Sequence, residues 1–302
     1  MLEVWIPITI AAAFFQNLRS ALQKHIKGKL SNNGAAYARF FYAWPFALFY
    51  LWGLNAIGGY PLPEPNLKFL VFCVLGGISQ ILFTVILLYM FSFRNFAVGT
   101  TFSKLELVMI AVLGALILGD GLSLPAIVAV ILSAAGVIVL SIGQSAITLK
   151  TLLSGLVEKP TLIGLTSAVF LGGSVVFFRG ASLALGHDNV TMAAAYALAV
   201  SIVIQTVIMG AYLMWREPGE IGRVITNWRW AGAVSVAGIL GSVCWFTAFT
   251  IENAAHVRAV GQIELVFTFI ASTLFFKETV SRLEIIGIAL VVGAILLILI
   301  AG

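Results

Sequence analysis

The sequence predicts an all-α membrane protein with ten transmembrane helices, arranged as two inverted five-helix repeats. Composition is the first of three observations: 61% of the 302 residues are apolar and 10% are charged. A soluble domain has roughly 45–50% apolar and about 25% charged residues. The second observation is that the apolar residues form segments long enough to cross a bilayer, which takes about 20 residues. The third is that the second half of the chain repeats features of the first.

Reading from one polar or Pro/Gly-containing break to the next gives ten predicted spans. They are residues 4–23, 35–54, 68–90, 95–118, 123–143, 160–184, 190–214, 229–250, 255–276 and 282–301. The breaks read KHIKGKLSNN, NAIGGYPLPEPN, SFRN, GDGLS, GQSAITLKTLLSGLVEK, LGHDN, WREPGEIGRVITN, IEN and KETVS. Most are short, so consecutive helices are expected to be antiparallel neighbours. The first span lacks a basic start and a small-residue cleavage site, so we expect it to be retained.

A shift of the sequence that brings Glu106 onto Glu264 aligns the two halves. The same shift matches Asn95, Ala97, Leu107, Val108, Leu116, Ser123, Ile127 and Leu132 with Asn253, Ala255, Leu265, Val266, Leu274, Ser281, Ile285 and Leu290, and places Asp120 on Glu278. We interpret this as a duplication, with repeats at 1–143 and 160–302 and a linker at 144–159. Because five is odd, the second repeat enters the membrane in the opposite orientation, as in many secondary transporters.

The net charge of +5 does not indicate a nucleic-acid partner, because the basic residues are scattered among short connections. Most of them lie in the odd-numbered connections, so the positive-inside rule favours both termini outside the cytoplasm. No HExxH motif, Ser/His/Asp set or phosphate-binding GK[ST] loop occurs, so neither an enzyme nor a chain that pumps with ATP by itself is expected. We predict no cofactor and no metal.

The stretch IELVFTFIASTLFFKETVSRLEIIGIALVVGAILLIL, with its counterpart in the first half, resembles the EamA type of the drug/metabolite transporter superfamily. Glu264 stands in the position of the family's glutamate, Glu278 in that of its loop acid, and Gly287 in that of a helix glycine. Leu107 and Leu265 stand where the family has proline, so any kink that proline supplies is in doubt here.

The resemblance implies a multi-pass carrier of the bacterial inner membrane that moves a small organic metabolite by alternating access. It suggests an amino acid or related compound, with export as the expected direction. Drugs, other organic solutes and a non-transport role such as lipid handling stay open as alternatives. Besides its substrate and the surrounding lipid, a proton is a candidate coupling ion, and the protein is expected to be a monomer or homodimer. The resemblance also implies termini in the cytoplasm, against the charge bias.

Two glutamates, Glu106 and Glu264, lie near the middle of predicted spans, where a charged side chain costs about 2.5–3.5 kcal/mol. They are expected to bind substrate or carry a coupled proton, or else only to fasten helices together. The available countercharges are Arg19, Arg39, Lys104, Arg179 and Arg258. Since the repeat pairs Arg19 with Arg179, a symmetric arrangement of the two glutamates with these two arginines is one option.

Aromatic residues form the second predicted surface. Tyr89, near the end of the third span, and Trp245, in the eighth, are candidates for lining a cavity that accepts apolar or aromatic groups. The alternative is that such residues fill the helix bundle or face lipid. The predicted site therefore comprises Glu264, Glu106, Arg19, Arg179, Tyr89 and Trp245.

Overall fold

The computed structural model of the chain describes residues 3–26, 29–90, 101–144, 159–274 and 281–301. Within these residues all regular secondary structure is helical. The α-helices are α1 (Trp5–Ile26), α2 (Asn32–Phe41), α3 (Ala43–Ala56), α4 (Leu67–Met90), α5 (Glu106–Leu113), α6 (Leu124–Gln144), α7 (Lys159–Ala184), α8 (Val190–Arg216), α9 (Glu220–Thr226), α10 (Trp228–Ile251), α11 (Ala254–Gly261), α12 (Ile263–Leu274) and α13 (Arg282–Ala301). A π-helical turn, Gly114–Leu118, continues α5.

Seven described segments are long and apolar enough to cross a membrane. They are Leu67–Ile86, Thr101–Leu118, Leu124–Gly143, Thr161–Ala184, Val190–Arg216, Trp228–Ile251 and Arg282–Ile300. Each coincides with a predicted span, and the all-α membrane class is confirmed. The other three predicted spans correspond to α1, to α2 with α3, and to α11 with α12. Residues 95–100 and 275–276 of the predicted spans lie outside the described residues, and the total of ten stays a prediction.

Two predicted spans break just before a glutamate. The chain turns at Lys104–Leu105 before Glu106, and at Gln262 before Glu264. These turns carry backbone hydrogen bonds between residues three apart, of 2.9–3.2 Å, which tighten the end of a helix. Each glutamate then lies in the first turn of the next helix, where the positive end of the helix dipole favours a carboxylate. Both breaks form without proline, since leucine follows each glutamate.

The described parts of Met1–Ile81 and Phe177–Glu252 form one compact unit, called unit 1 here. In unit 1, α1 packs along α10, and α8 packs against α3 and α10. A Cβ added at Gly76 would lie 2.6 Å from the ring of Phe178, and one at Gly241 would lie 3.4 Å from Phe15 Cβ. Small residues therefore occupy the closest helix contacts, as is usual for helices that pack in lipid.

The described parts of Leu82–Val176 and Asn253–Gly302 form a second compact unit, unit 2. Its most extensive contact joins α6 and α13. A Cβ added at Gly143 would lie 2.9 Å from Glu284 N, and one at Gly293 would lie 3.7 Å from Leu132 Cδ2. The end of α6 thus contacts the start of α13, so the two helices run antiparallel. Antiparallel packing is what inverted repeats require of equivalent helices, and these are the last helices of the two predicted repeats.

The two compact units do not coincide with the two predicted repeats. Each unit combines residues from 1–143 with residues from 160–302. Unit 1 contains α1–α3 with α8–α10, and unit 2 contains α5 and α6 with α11–α13. Three pairs of equivalent predicted spans therefore share a unit: α2 and α3 with α8, α5 with α11 and α12, and α6 with α13. Helices α4 and α7 are divided between the units, so the pairs α4 with α10 and α1 with α7 are not each contained in one unit. The repeat boundaries themselves, and the ten-helix inverted repeat as a whole, stay predictions.

Candidate functional site

Glu106 is a buried carboxylate at the start of α5, with 5% of its surface exposed. Leu107 and Ile110 of the same helix are almost completely buried. Helix α7 passes close by: a Cβ added at Gly172 would lie 3.3 Å from Glu106 O and 3.0 Å from Met109 Cβ. Glycine at position 172 therefore lets α7 cover the start of α5, and this helps to keep Glu106 away from solvent.

Arg258 is the countercharge of Glu106. It lies on α11, whose first turn is capped by Asn253 Oδ1 accepting from Ala255 N at 2.9 Å. Arg258 Nε donates to Glu106 Oε1 at 2.8 Å, and Arg258 Nη2 donates to the same oxygen. Since Arg258 is only 9% exposed, this is a buried ion pair with charge-assisted hydrogen bonds.

Glu264 approaches the same guanidinium from the start of α12. Its Oε1 lies 3.8 Å from Arg258 Nη2, an ion-pair distance that is longer than a hydrogen bond. The Glu264 side chain is 13% exposed, against 7% for Glu106. One guanidinium nitrogen therefore lies between two carboxylates, held tightly by Glu106 and loosely by Glu264. We call Glu106, Arg258 and Glu264 the Glu–Arg–Glu cluster.

The Glu–Arg–Glu cluster has one positive charge for two carboxylates. With both glutamates ionised its net charge is −1, which is unfavourable among apolar helices unless a further group offsets it. One proton on a carboxylate makes the cluster neutral, and so does a cationic group of a bound molecule.

Arg258 forms the described ion pairs with both glutamates. It was one of the available countercharges, but the predicted site included Arg19 and Arg179 and not Arg258. Arg179 Nη1 instead donates to Phe249 O at 2.5 Å and to Glu252 O. These carbonyls end α10, where a cation is favoured by the helix dipole and satisfies terminal acceptors. Arg179 therefore caps a helix.

Arg19 lies beside α10 in unit 1. Its Cδ is 3.5 Å from the position of a Cβ added at Gly238, and Arg39 Cγ is equally close to that position. Two arginines from different helices, α1 and α2, thus meet at one glycine. Sequence reasoning named both as countercharges, but it did not predict that they lie together.

The two predicted aromatic residues have different surroundings. Trp245 is 9% exposed, stacks on Phe249 with ring centroids 5.3 Å apart, and donates from Nε1 to Gln16 Oε1 at 3.1 Å. Tyr89 is 59% exposed. The structure therefore places Trp245 in the interior of unit 1, whereas Tyr89, in unit 2, is exposed.

Comparison with known protein families shows which family part of this chain resembles. Residues 159–300 match the EamA-like transporter family. This part of the chain is an EamA family domain. The match is consistent with the drug/metabolite transporter superfamily. Together, the match and the seven apolar segments support a multi-pass membrane protein. No curated protein matches the chain.

One crystal structure of a protein is similar over nearly the whole length, covering 98% of this chain and 96% of that chain. Its TM-score is 0.71 and its sequence identity is 14%, so the likeness shows a shared fold and nothing more.

The EamA domain supplies two members of the Glu–Arg–Glu cluster, since Arg258 and Glu264 lie inside residues 159–300. Glu106 comes from the preceding half. The site therefore depends on both halves of the chain, although the family match covers one. Glu278, the predicted loop acid of the EamA domain, lies outside the described residues.

Proposed function

We propose that this protein is a secondary transporter that moves a small organic metabolite across the bacterial inner membrane by alternating access. The EamA domain and the apolar helices support a transporter. The observation that carries the proposal further is the Glu–Arg–Glu cluster: a buried arginine between two carboxylates, each at a helix break. Discontinuous helices and intramembrane charges are typical of ion and substrate sites in secondary transporters.

In this proposal Glu264 carries a coupled proton. Glu106 is held by two hydrogen bonds to Arg258, so its charge is compensated in place. Glu264 lies farther from the guanidinium, at 3.8 Å, and its side chain is more exposed than that of Glu106, and these two differences support Glu264 as the residue that takes up the proton. Protonation removes the net charge of the cluster, which favours a conformation that encloses it; deprotonation favours one that opens it to water.

The expected cargo is an amino acid or a related metabolite, and the expected direction is export, as the resemblance implies. Drugs and other organic solutes are the alternatives within the transporter class. A lipid-handling protein is the alternative outside it. The proposed carrier works as a monomer or homodimer without a cofactor.

The test uses the full-length protein in liposomes that enclose a pH-sensitive dye. Amino acids and other solutes are added one at a time, and solute-dependent proton movement is recorded. Glu264→Gln is expected to abolish solute-dependent proton movement while retaining exchange of labelled for unlabelled solute. Glu64→Gln, at an exposed glutamate, is the matched control and is expected to behave as wild type.

Three results would contradict parts of this proposal. Wild-type proton movement in Glu264→Gln would exclude Glu264 as the proton carrier. Saturable solute exchange with no proton movement in the wild type would show a facilitative carrier. Movement of labelled phospholipid between leaflets, with no saturable solute uptake, would support lipid handling.

A further inference from the structure

An apolar groove runs along the surface of unit 1, between α1 and α10. Its volume is about 510 Å³, within the range of about 300–1,000 Å³ that small-molecule sites occupy. Helix α1 contributes Phe15, Leu18 and Leu22, whose spacing places them on one helix face. Helix α10 contributes residues between Trp228 and Leu240. We call this surface the α1–α10 groove.

Small residues of α10 form the bottom of the α1–α10 groove. Ala237 is 3% exposed, and no atom of the described residues lies within 4 Å of a Cβ added at Gly232. Larger side chains form the edges, since Leu18 is 42% exposed and Leu240 is 43% exposed. The surface is therefore concave, and an apolar chain that lies in it contacts both helices at once.

Arg229 places a positive charge at one end of the groove. It lies at the start of α10, and its guanidinium carbon is 5.6 Å from the centre of the Trp228 ring. Trp228 and Trp230 are both exposed. Exposed tryptophans at the end of a membrane helix are typical of the interface between hydrocarbon and water. Arg229 therefore lies at the level of the lipid headgroups. None of the described residues that line the groove is acidic.

The length of the groove is close to the depth of one lipid leaflet. Its lining on α10 extends from Trp228 to Leu240, which is about 18 Å at about 1.5 Å per residue. One leaflet contributes about 15 Å to a hydrocarbon core that is about 30 Å thick. A molecule with an anionic head at Arg229 and one long apolar tail therefore matches both the charge and the length of the groove.

We propose that the α1–α10 groove binds one anionic phospholipid, with an acyl chain between the two helices and the phosphate at Arg229. The planar donors of arginine match the oxygens of a phosphate. A soluble anion would leave the rest of the groove unused, because its lining beyond Arg229 is apolar. The groove shares no residue with the Glu–Arg–Glu cluster, and lipid binding does not depend on transport. The two proposals can therefore fail independently.

The binding test compares two phospholipids that differ only in their headgroup. Purified full-length protein in detergent micelles is titrated with phosphatidylglycerol or with phosphatidylcholine of the same acyl chains. Native mass spectrometry records the fraction of protein that carries a lipid. Phosphatidylglycerol is expected to bind about five-fold more tightly, which is the contribution of one basic residue close to anionic lipid. Equal binding of the two lipids overturns the proposal. Binding of glycerol phosphate as tightly as phosphatidylglycerol also overturns it, because that anion has no acyl chain.

Substitutions locate the lipid. Arg229→Gln is expected to abolish the preference for phosphatidylglycerol. Gly232→Leu places a large side chain in the groove and is expected to weaken the binding of both lipids. Arg216→Gln is the matched control, because Arg216 is also exposed and its guanidinium carbon lies 4.4 Å from the ring centre of the neighbouring Trp215. Arg216 does not line the groove, so its variant should keep the preference of the wild type.

Two outcomes of the substitutions would overturn the assignment to this groove. One is an equal loss of the headgroup preference in Arg216→Gln and Arg229→Gln. The other is a dimer that becomes monomeric in Gly232→Leu while lipid binding stays the same, since the groove would then contact a second copy of the chain. The comparison of the two lipids in the wild type stands even if Gly232→Leu does not fold.

Discussion

Replacement of Arg258 by glutamine is expected to destabilise the protein more than loss of either glutamate. It leaves Glu106 and Glu264 as two buried carboxylates with no countercharge from position 258. Breaking a buried ion pair by removing one partner costs about 3–5 kcal/mol of unfolding free energy. Both glutamates depend on this guanidinium, so we expect Arg258→Gln to fall in that range.

The two glutamate substitutions are expected to differ from each other. Glu106→Gln removes the carboxylate that accepts two hydrogen bonds from Arg258, and hydrogen bonds to charged groups contribute about 1.5–3 kcal/mol. Glu264 lies 3.8 Å from Arg258 Nη2, beyond hydrogen-bond distance, so we expect the coupling energy between positions 264 and 258 to be smaller than that between positions 106 and 258.

The assay is reversible unfolding of full-length protein in mixed micelles, with increasing sodium dodecyl sulfate and tryptophan fluorescence as readout. The double variant Glu106→Gln/Arg258→Gln completes a thermodynamic cycle. Because the two residues are in contact, the double variant is expected to lose less stability than the sum of the single variants, by about 0.5–3 kcal/mol. Arg282→Gln serves as the control for loss of an exposed arginine.

Two results would refute this reasoning. If a second thermodynamic cycle with Glu264→Gln and Arg258→Gln gives a coupling energy as large as that of Glu106 with Arg258, the unequal contact of Arg258 with the two carboxylates is wrong. If the effects of Glu106→Gln and Arg258→Gln add within about 0.5 kcal/mol, the two side chains do not act as a pair.

Two further predictions concern helix packing and capping. Gly287→Ala places a Cβ 2.6 Å from Leu140 N on α6, so we expect a loss of about 1–3 kcal/mol in the same unfolding assay. Gly232→Ala has no atom within 4 Å of the added Cβ and should be close to wild type; equal losses would contradict the packing. Arg179→Gln removes the donor to the last carbonyls of α10, so amide hydrogen exchange should become faster at the C-terminal turn of α10 and not at its start. Unchanged exchange there would contradict the capping role.

The membrane class and most helix positions could be predicted because hydrophobic length is a direct physical requirement of a bilayer. The break before Glu106 could not, because it contains neither proline nor glycine, the residues that usually mark a break. The break before Glu264 follows directly after Gly261, but a single glycine is also common within unbroken membrane helices. Each break does contain a polar residue two positions before the glutamate, Lys104 and Gln262, within an apolar run. That shared polar residue is the signal available in the sequence.

The partner of the glutamates could not be predicted, because the choice depends on how helices pack. Arg258 and Glu264 are six residues apart, and on an unbroken helix such residues lie on different faces. The turn at Gln262 changes the direction of the chain between them and allows the guanidinium to lie near both carboxylates. Likewise, nothing in the sequence pattern brings Arg19 and Arg39 to the same glycine.

The Glu–Arg–Glu cluster is asymmetric, whereas the predicted duplication is symmetric. The shift that aligns Glu106 with Glu264 aligns Arg258 with Thr100, so the glutamate recurs and the arginine does not. Two guanidinium nitrogens, Nε and Nη2, donate to Glu106, whereas Glu264 lies 3.8 Å from Nη2. Under the proposed function, this unequal contact of one arginine with two corresponding glutamates is the reason why Glu106 and Glu264 differ in role.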